Sequence, residues 1–210
     1  MQNDLDLVAD LEAARMAGVE RSGGVDSGKR EDAAFERAFA RHGLNLLGPG
    51  AAETAERIRT SAVRSQLTDA LDHWVSIKRM IHSEGWERLL AIARSTGPDD
   101  ELWWQLHDET ILGDAGRVKA LADSVRVEDW SAANMHLLAD ALIRVGEGDA
   151  ATGVLRKAQQ VHPGDFWLNS DLGTTLAQQG PRQQTEALTY LRIAAAFSVS
   201  PLAIWQNRSS

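Results

Sequence analysis

The 210-residue sequence contains no cysteine, one tyrosine, five prolines and no long apolar run. The absence of cysteine excludes disulfide frameworks, cysteine-ligated zinc or iron–sulfur sites, and thiol nucleophiles. No run approaches the roughly 18 apolar residues that a membrane-spanning helix needs, so we expect no membrane segment. The first fifteen residues, MQNDLDLVADLEAAR, are acidic where a signal peptide is basic, which predicts a cytoplasmic protein.

The charge balance is acidic, with 22 Lys and Arg against 30 Asp and Glu and a formal net charge of -8. Proteins that bind nucleic acid need a positive surface to displace counterions from phosphate, so we expect no nucleic-acid partner. The negative charge is concentrated in residues 101–150, whereas residues 151–210 are mildly basic. The acidic block is either the solvated face of a helical protein or a docking surface for a basic partner.

Apolar residues recur at intervals of three and four along most of the chain, and no segment shows sustained alternation. This periodicity is typical of amphipathic helices and predicts an all-α protein. Four of the five prolines fall between the periodic segments, where a helix has to stop. We expect helices at 5–16 and 52–81 among others, a helical hairpin at 101–124, a mobile loop at 18–31, and Ser83 as the cap of a helix that ends near 96–98.

A repeat is present in the second half of the chain. Four positions recur after 34 residues, which is the period of tetratricopeptide repeats. The recurring pairs are Leu138 and Leu172, Ala139 and Gly173, Leu142 and Leu176, and Gly146 and Gly180. Small residues allow two helices to approach closely, and Gly146 supplies a turn conformation that a β-carbon would resist. Pro163 ends the second helix of the unit, and Asp165 can cap the helix that begins at Phe166.

The second unit departs from the first by two residues. Ala187 follows Ala151 by 36 residues instead of 34, which places an insertion in the turn at 180–185. We therefore predict a tetratricopeptide-like α-solenoid of antiparallel helix pairs that is preceded by irregular helices. The expected divisions are an N-terminal helical region at 1–98, a degenerate repeat at 99–131, repeats at 132–165 and 166–201, and a partial repeat at 202–210.

The segment HPGDFWLN at 162–169, followed by EALTYLRIAAA at 186–196, gives a resemblance to a known family. It resembles the tetratricopeptide region C-terminal to the kinase domain in large bacterial eukaryotic-like Ser/Thr protein kinases. The upstream segments LEAAR (11–15), ALDHW (70–74) and LLAIAR (89–94) match that region more loosely. The resemblance covers most of the chain and implies a non-catalytic, kinase-related protein that binds other proteins.

The catalytic parts of a kinase are missing. A kinase needs a glycine-rich loop, a lysine on a strand, and HRD and DFG segments, and the sequence contains none of them. Gly23, Gly28 and Lys29 fit a phosphate-loop spacing, but Arg30 replaces the required Ser or Thr and no strand precedes them. We therefore expect no enzyme activity and no cofactor.

The expected binding site is the concave groove lined by the first helix of each repeat, which typically holds a peptide or a helix. The residues predicted to line it are His136, Asp140, Ile143, Arg144, Trp167, Ser170, Thr174 and Gln178. A clamp for a terminal carboxylate is disfavoured, because Arg144 is the only cation in this set. The histidines lack the i, i+4 pairing of helical metal sites, so we expect no metal.

Three functions remain open at this point. The chain is a scaffold that binds a protein or peptide partner through the groove, or it is the detached regulatory C-terminal region of a Ser/Thr kinase. The third and least favoured alternative is a helical hydrolase that uses a carboxylate–histidine set such as His107 and Glu109. The sequence identifies neither the partner nor the oligomeric state.

Overall fold

The structure is a computed structural model that describes residues 2–18, 25–98, 101–126, 128 and 130–197. The described residues form helices and no strand, which confirms the all-α prediction. The chain divides into two compact units, Met1–Trp103 and Trp104–Ser210, here called the N-terminal and C-terminal units. No helix among the described residues is both long enough and apolar enough to cross a membrane.

The N-terminal unit is a bundle of helices around an aromatic core. Its helices are α1 (Gln2–Met16), α2 (Val25–Arg41), α3 (Ala51–Arg59), α4 (Arg64–Met80) and α5 (Trp86–Thr96), and α6 (Glu101–Gln105) spans the boundary between the units. Phe35 and Phe39 of α2 stack on Trp74 of α4, with ring centroids 6.0 and 5.5 Å apart. All three rings are almost fully buried, so this stack holds α2 against α4.

The loop expected at 18–31 is shorter than predicted, because α2 begins at Val25 and residues 25–31 are helical. Residues 19–24 lie outside the described residues. A β-carbon at Gly28 would lie 2.4 Å from Cγ2 of Ile81, so the glycine permits a close approach between α2 and the end of α4. Gly28 and Lys29, which fit the phosphate-loop spacing, therefore belong to a packed helix.

The long helix expected at 52–81 is interrupted between α3 and α4. Thr60 Oγ1 donates a hydrogen bond to the carbonyl of Glu56 at 3.0 Å, and the backbone N–H of Val63 donates to Ser61 Oγ at 3.2 Å. The Thr60 hydroxyl shares the Glu56 carbonyl with the Thr60 N–H, whereas the Val63 N–H bonds the Ser61 side chain in place of the backbone carbonyl that a continuous helix would offer it. Periodicity alone did not reveal the break, because apolar spacing continues across it.

Ser83 does not cap α5, contrary to the sequence prediction. Gly85 occupies the N-cap position, with a φ of +87°. The Ser83 hydroxyl instead donates to Asp32 Oδ2 at 3.2 Å, in a cluster where Asp32 also accepts from Trp74 Nε1 and Lys78 Nζ. The serine thus contributes to a polar link between α2 and α4.

The C-terminal unit consists of two short helices followed by two longer helix pairs. Its helices are α7 (Glu109–Leu112), α8 (Ala115–Ser124), α9 (Ala132–Arg144), α10 (Gly148–Val161), α11 (Phe166–Gln178) and α12 (Gln184–Phe197), with a short 3₁₀ helix at Pro181–Gln183. The first helices of the two pairs, α9 and α11, begin 34 residues apart, whereas α10 and α12 begin 36 residues apart. The two extra residues lie in the α11–α12 connection, where the sequence predicts the insertion.

The helix pairs pack through the small and large residues that the repeat pattern singles out. Leu138, Leu142, Ala151, Leu155 and Ala158 are all completely buried. Gly146 has a φ of +83° and turns the chain between α9 and α10. The Asp165 side chain accepts the backbone N–H of Leu168 at 2.9 Å, which confirms it as the N-cap of α11.

The region at 101–124 is more broken than the expected helical hairpin. Asp108 accepts the N–H of Thr110 at 2.8 Å and begins α7, and Asp114 accepts the N–H of Arg117 at 3.0 Å and begins α8. Each aspartate starts a new helix, so this segment consists of short helices instead of one hairpin.

Candidate functional site

The residues predicted on α9 follow one side of that helix. His136 and Asp140 are half-buried, whereas Ile143 and Arg144 are exposed. Among the described residues of this unit, Ile143 is one of four large apolar side chains that are exposed, with 41% of its surface open to solvent. This side of α9 therefore places one accessible apolar side chain among polar groups.

The residues predicted on α11 are less uniform. Thr174 and Gln178 are exposed, and Ser170 is half-buried. Trp167 is only 6% exposed and packs edge-on against Phe166, with ring centroids 4.7 Å apart and an interplanar angle of 90°. The tryptophan therefore fills the core of the unit, and its exposed contribution to the predicted groove is small.

The seven remaining predicted residues form the surface we call the α9–α11 face. They are His136, Asp140, Ile143, Arg144, Ser170, Thr174 and Gln178. A hydrogen bond between His136 Nδ1 and Asp171 Oδ2 connects the two helices across this face. Sequence reasoning missed Asp171, because it lies one position away from the equivalent of His136 in the next repeat.

The charges on the α9–α11 face are largely neutralised within it. Arg144 Nη1 lies 2.7 Å from Asp140 Oδ2, one helical turn away. Because Arg144 already has an acidic partner, it offers little net positive charge to a terminal carboxylate. This pairing agrees with the sequence argument against a carboxylate clamp.

Further polar contacts connect α10 with the helix pair that follows it. Arg156 of α10 binds Glu186 of α12 through two hydrogen bonds, Nε–Oε1 at 3.0 Å and Nη2–Oε2 at 2.8 Å. The bond to Glu186 raises the pKa of the Arg156 guanidinium above its ordinary value. Gln179 at the end of α11 donates to Thr152 Oγ1 of α10 at 2.8 Å. These contacts link α10 to both α11 and α12.

The two residues of the hydrolase alternative, His107 and Glu109, differ in their exposure to solvent. His107 is 4% exposed in the turn before α7, whereas Glu109 is exposed in the first turn of α7. Within the described part of the chain, no group of three His, Asp or Glu side chains is arranged to hold a metal ion.

The comparisons with known proteins give no further assignment. A scan of protein-family models, a search of curated proteins and a search of solved structures each found no match to this chain.

Proposed function

We propose that the chain is a non-catalytic scaffold that binds a peptide or a helix of a partner protein along the α9–α11 face. The proposal rests on one observation above all. Two helices that begin 34 residues apart lie side by side, are joined by the His136–Asp171 bond, and leave Ile143, Thr174 and Gln178 open to solvent. Tetratricopeptide and related helical arrays use the corresponding helices to bind extended or helical segments.

The chemistry of the face indicates the kind of segment it would take. Ile143 offers an apolar contact, and Ser170, Thr174 and Gln178 offer hydrogen-bonding groups. Arg144 and Asp140 neutralise each other, so net charge contributes little to recognition. The favoured partner segment therefore carries an aliphatic or aromatic anchor flanked by polar residues.

A peptide-display selection against the full chain tests the proposal. Binding of a selected peptide is measured for the Ile143→Asp variant and for a matched control, Leu188→Asp on α12. Leu188 is somewhat more exposed than Ile143, at 49% against 41%, but lies outside the α9–α11 face. We expect Ile143→Asp to weaken binding at least about tenfold, the loss typical of removing one central anchor, and Leu188→Asp to leave it unchanged. Equal effects of the two variants would contradict the proposal.

The resemblance to the C-terminal region of Ser/Thr kinases supports a more specific version of this proposal. In it, the partner is a kinase or one of its substrates, and the chain acts as a detached adaptor. The segment that carries the resemblance, HPGDFWLN, contains the Asp165 cap and the first residues of α11, next to the proposed face. Co-purification with a kinase encoded immediately upstream, lost in Ile143→Asp but kept in Leu188→Asp, would support this version.

A further inference from the structure

The segment with which α11 begins has a counterpart in the sequence after α12. Residues 162–169 read HPGDFWLN, and residues 200–207 read SPLAIWQN. Proline, tryptophan and asparagine occupy the same positions in both segments, and Ile204 stands where the first segment has Phe166. Residues 198–210, where a partial repeat is expected, lie outside the described residues. The sequence after α12 therefore repeats the entry into α11.

The shared residue types close the turn between α10 and α11. Trp167 is buried and packs edge-on against Phe166. Asn169 is completely buried, and its Nδ2 donates to the carbonyl of Pro163 at 3.0 Å and to that of Asp165 at 2.7 Å. The same spacing of proline, tryptophan and asparagine after α12 predicts the same kind of turn into a further helix.

One stripe of α10 is covered by α11. Gln159 Nε2 donates to Asn169 Oδ1 at 3.5 Å near the start of α11, and Thr152 Oγ1 accepts from Gln179 at 2.8 Å at its end. Thr152 is only 3% exposed, and Leu155, which lies between the two contacts, is completely buried. The first turns of α11 therefore lie against the C-terminal half of α10.

The equivalent stripe of α12 is more open to solvent. Since α12 begins 36 residues after α10, the three equivalent positions are Leu188, Leu191 and Ala195. Leu188 is 49% exposed, Leu191 is half-buried and Ala195 is exposed. All three side chains are apolar and follow one side of the helix, so covering them is favourable. The stripe has the composition of a helix–helix contact.

We propose that residues 201–210 pack against α12 at Leu191 and Ala195, as the first turns of α11 pack against α10. Two observations favour this occupant. The segment follows α12 directly in the chain, and it carries the residue types with which α11 enters the equivalent contact. Its packing continues the series of helices from α9 to α12 by one more. The proposal is independent of partner binding, because α12 contributes no residue to the α9–α11 face.

The register of the proposed contact follows from the α10–α11 pair. Asn207 corresponds to Asn169, which lies beside Gln159 of α10. We therefore expect Asn207 beside Ala195. Leu188 is equivalent to a residue opposite the end of α11, so the segment does not extend that far. Ala195 is thus the position at which a substitution tests the contact.

Limited proteolysis of the full chain tests the docking, because chymotrypsin cleaves after Trp205 and mass spectrometry identifies the fragment. We expect Ala195→Glu to speed this cleavage at least about tenfold, since a buried carboxylate opposes docking and cleavage follows the undocked population. The matched control is Ala196→Glu, because Ala196 is also exposed and corresponds to the exposed Gln160 of α10. Unchanged cleavage in Ala195→Glu, or equal acceleration in Ala196→Glu, would overturn the proposal.

The absence of native cysteine allows a second test that remains valid if Ala195→Glu fails to fold. The double variant Ala195→Cys/Asn207→Cys is oxidised beside Gln159→Cys/Asn169→Cys, which calibrates the rate at the described contact, and beside Ala196→Cys/Asn207→Cys. We expect the Ala195 pair to form an intramolecular disulfide at least about tenfold faster than the Ala196 pair, because a disulfide needs close and correctly directed β-carbons. Equal rates would show that the segment has no fixed position on α12. A disulfide between two chains would assign the stripe to a second copy, and either result would refute the proposal.

Discussion

Substituting alanine for glycine at two helical positions of the C-terminal unit should change stability in opposite directions. Gly173 lies in α11, where an added β-carbon would be 2.7 Å from Cγ of Leu191 and 3.0 Å from the backbone oxygen of Ala187. Gly153 lies in α10, where an added β-carbon would have no atom within 4 Å. Both positions are helical, so replacing glycine by alanine improves the helix propensity equally at both. Only the packing around the added methyl group differs.

The expected magnitudes follow from these contacts. Alanine is better than glycine inside a helix by about 1 kcal/mol, which should appear undiminished in Gly153→Ala. At Gly173 the new methyl group overpacks the α11–α12 contact, which costs about 1–3 kcal/mol. Part of that cost cannot be relieved by rotating a side chain, because the backbone oxygen of Ala187 is one of the contacts. Gly173→Ala should therefore be destabilised by about 1 kcal/mol, and the two variants should differ by about 2 kcal/mol.

Urea unfolding followed by far-ultraviolet circular dichroism measures both free energies. Because the chain contains two compact units, the curves are fitted with one or two transitions as the data require. The free energy of the transition that shifts is then compared between each variant and the parent. If Gly173→Ala stabilises the chain as much as Gly153→Ala does, then α11 and α12 do not approach as closely as described, and the packing argument for the second helix pair is wrong.

Three further predictions test local features. Asp165→Ala should lower the free energy of unfolding by about 1 kcal/mol, because the N–H of Leu168 loses its cap; a urea midpoint unchanged from the parent would contradict this. Gly146→Ala should cost about 1–2 kcal/mol, since a β-carbon resists a φ of +83°, and a neutral effect in the same assay would show that the turn can relax. Asp10→Asn should destabilise the chain near neutral pH. The folded pKa of Asp10 is lowered, first by the bond from His42, so this contribution is present above the unfolded pKa and is lost as the pH falls through the folded value. Melting temperatures of parent and variant should therefore converge in acid, and a gap that persists there would refute the assignment.

Local signals in the sequence were sufficient for much of the C-terminal unit. Gly146 and Asp165 mark a turn and a cap whose geometry depends on neighbouring residues only, and both are found where the sequence placed them. The 34-residue step and the two-residue insertion also appear in the helix boundaries. The assignment of these pairs to the tetratricopeptide class stays a prediction.

The candidate site was less accessible to sequence reasoning. Periodicity placed Trp167 on the groove side, but a large aromatic residue at the start of α11 turns into the core and packs against Phe166. The His136–Asp171 bond joins side chains 35 positions apart, and the bond from Trp74 Nε1 to Asp32 joins side chains 42 positions apart. No spacing rule connects such residues, because they meet only after the helices have packed.

The amino-acid sequence by itself determined that this protein is helical, where most helices lie, and that a 34-residue step relates two helix pairs. These properties depend on apolar spacing, caps and turns, which act over a few residues. Only the tertiary structure decided that Ser83 bonds Asp32 instead of capping α5, that α2 begins at Val25, and that Arg57 donates to the backbone carbonyls of His42 and Gly43. Each of these depends on which helix faces are covered, and that is set by packing between segments distant in the chain.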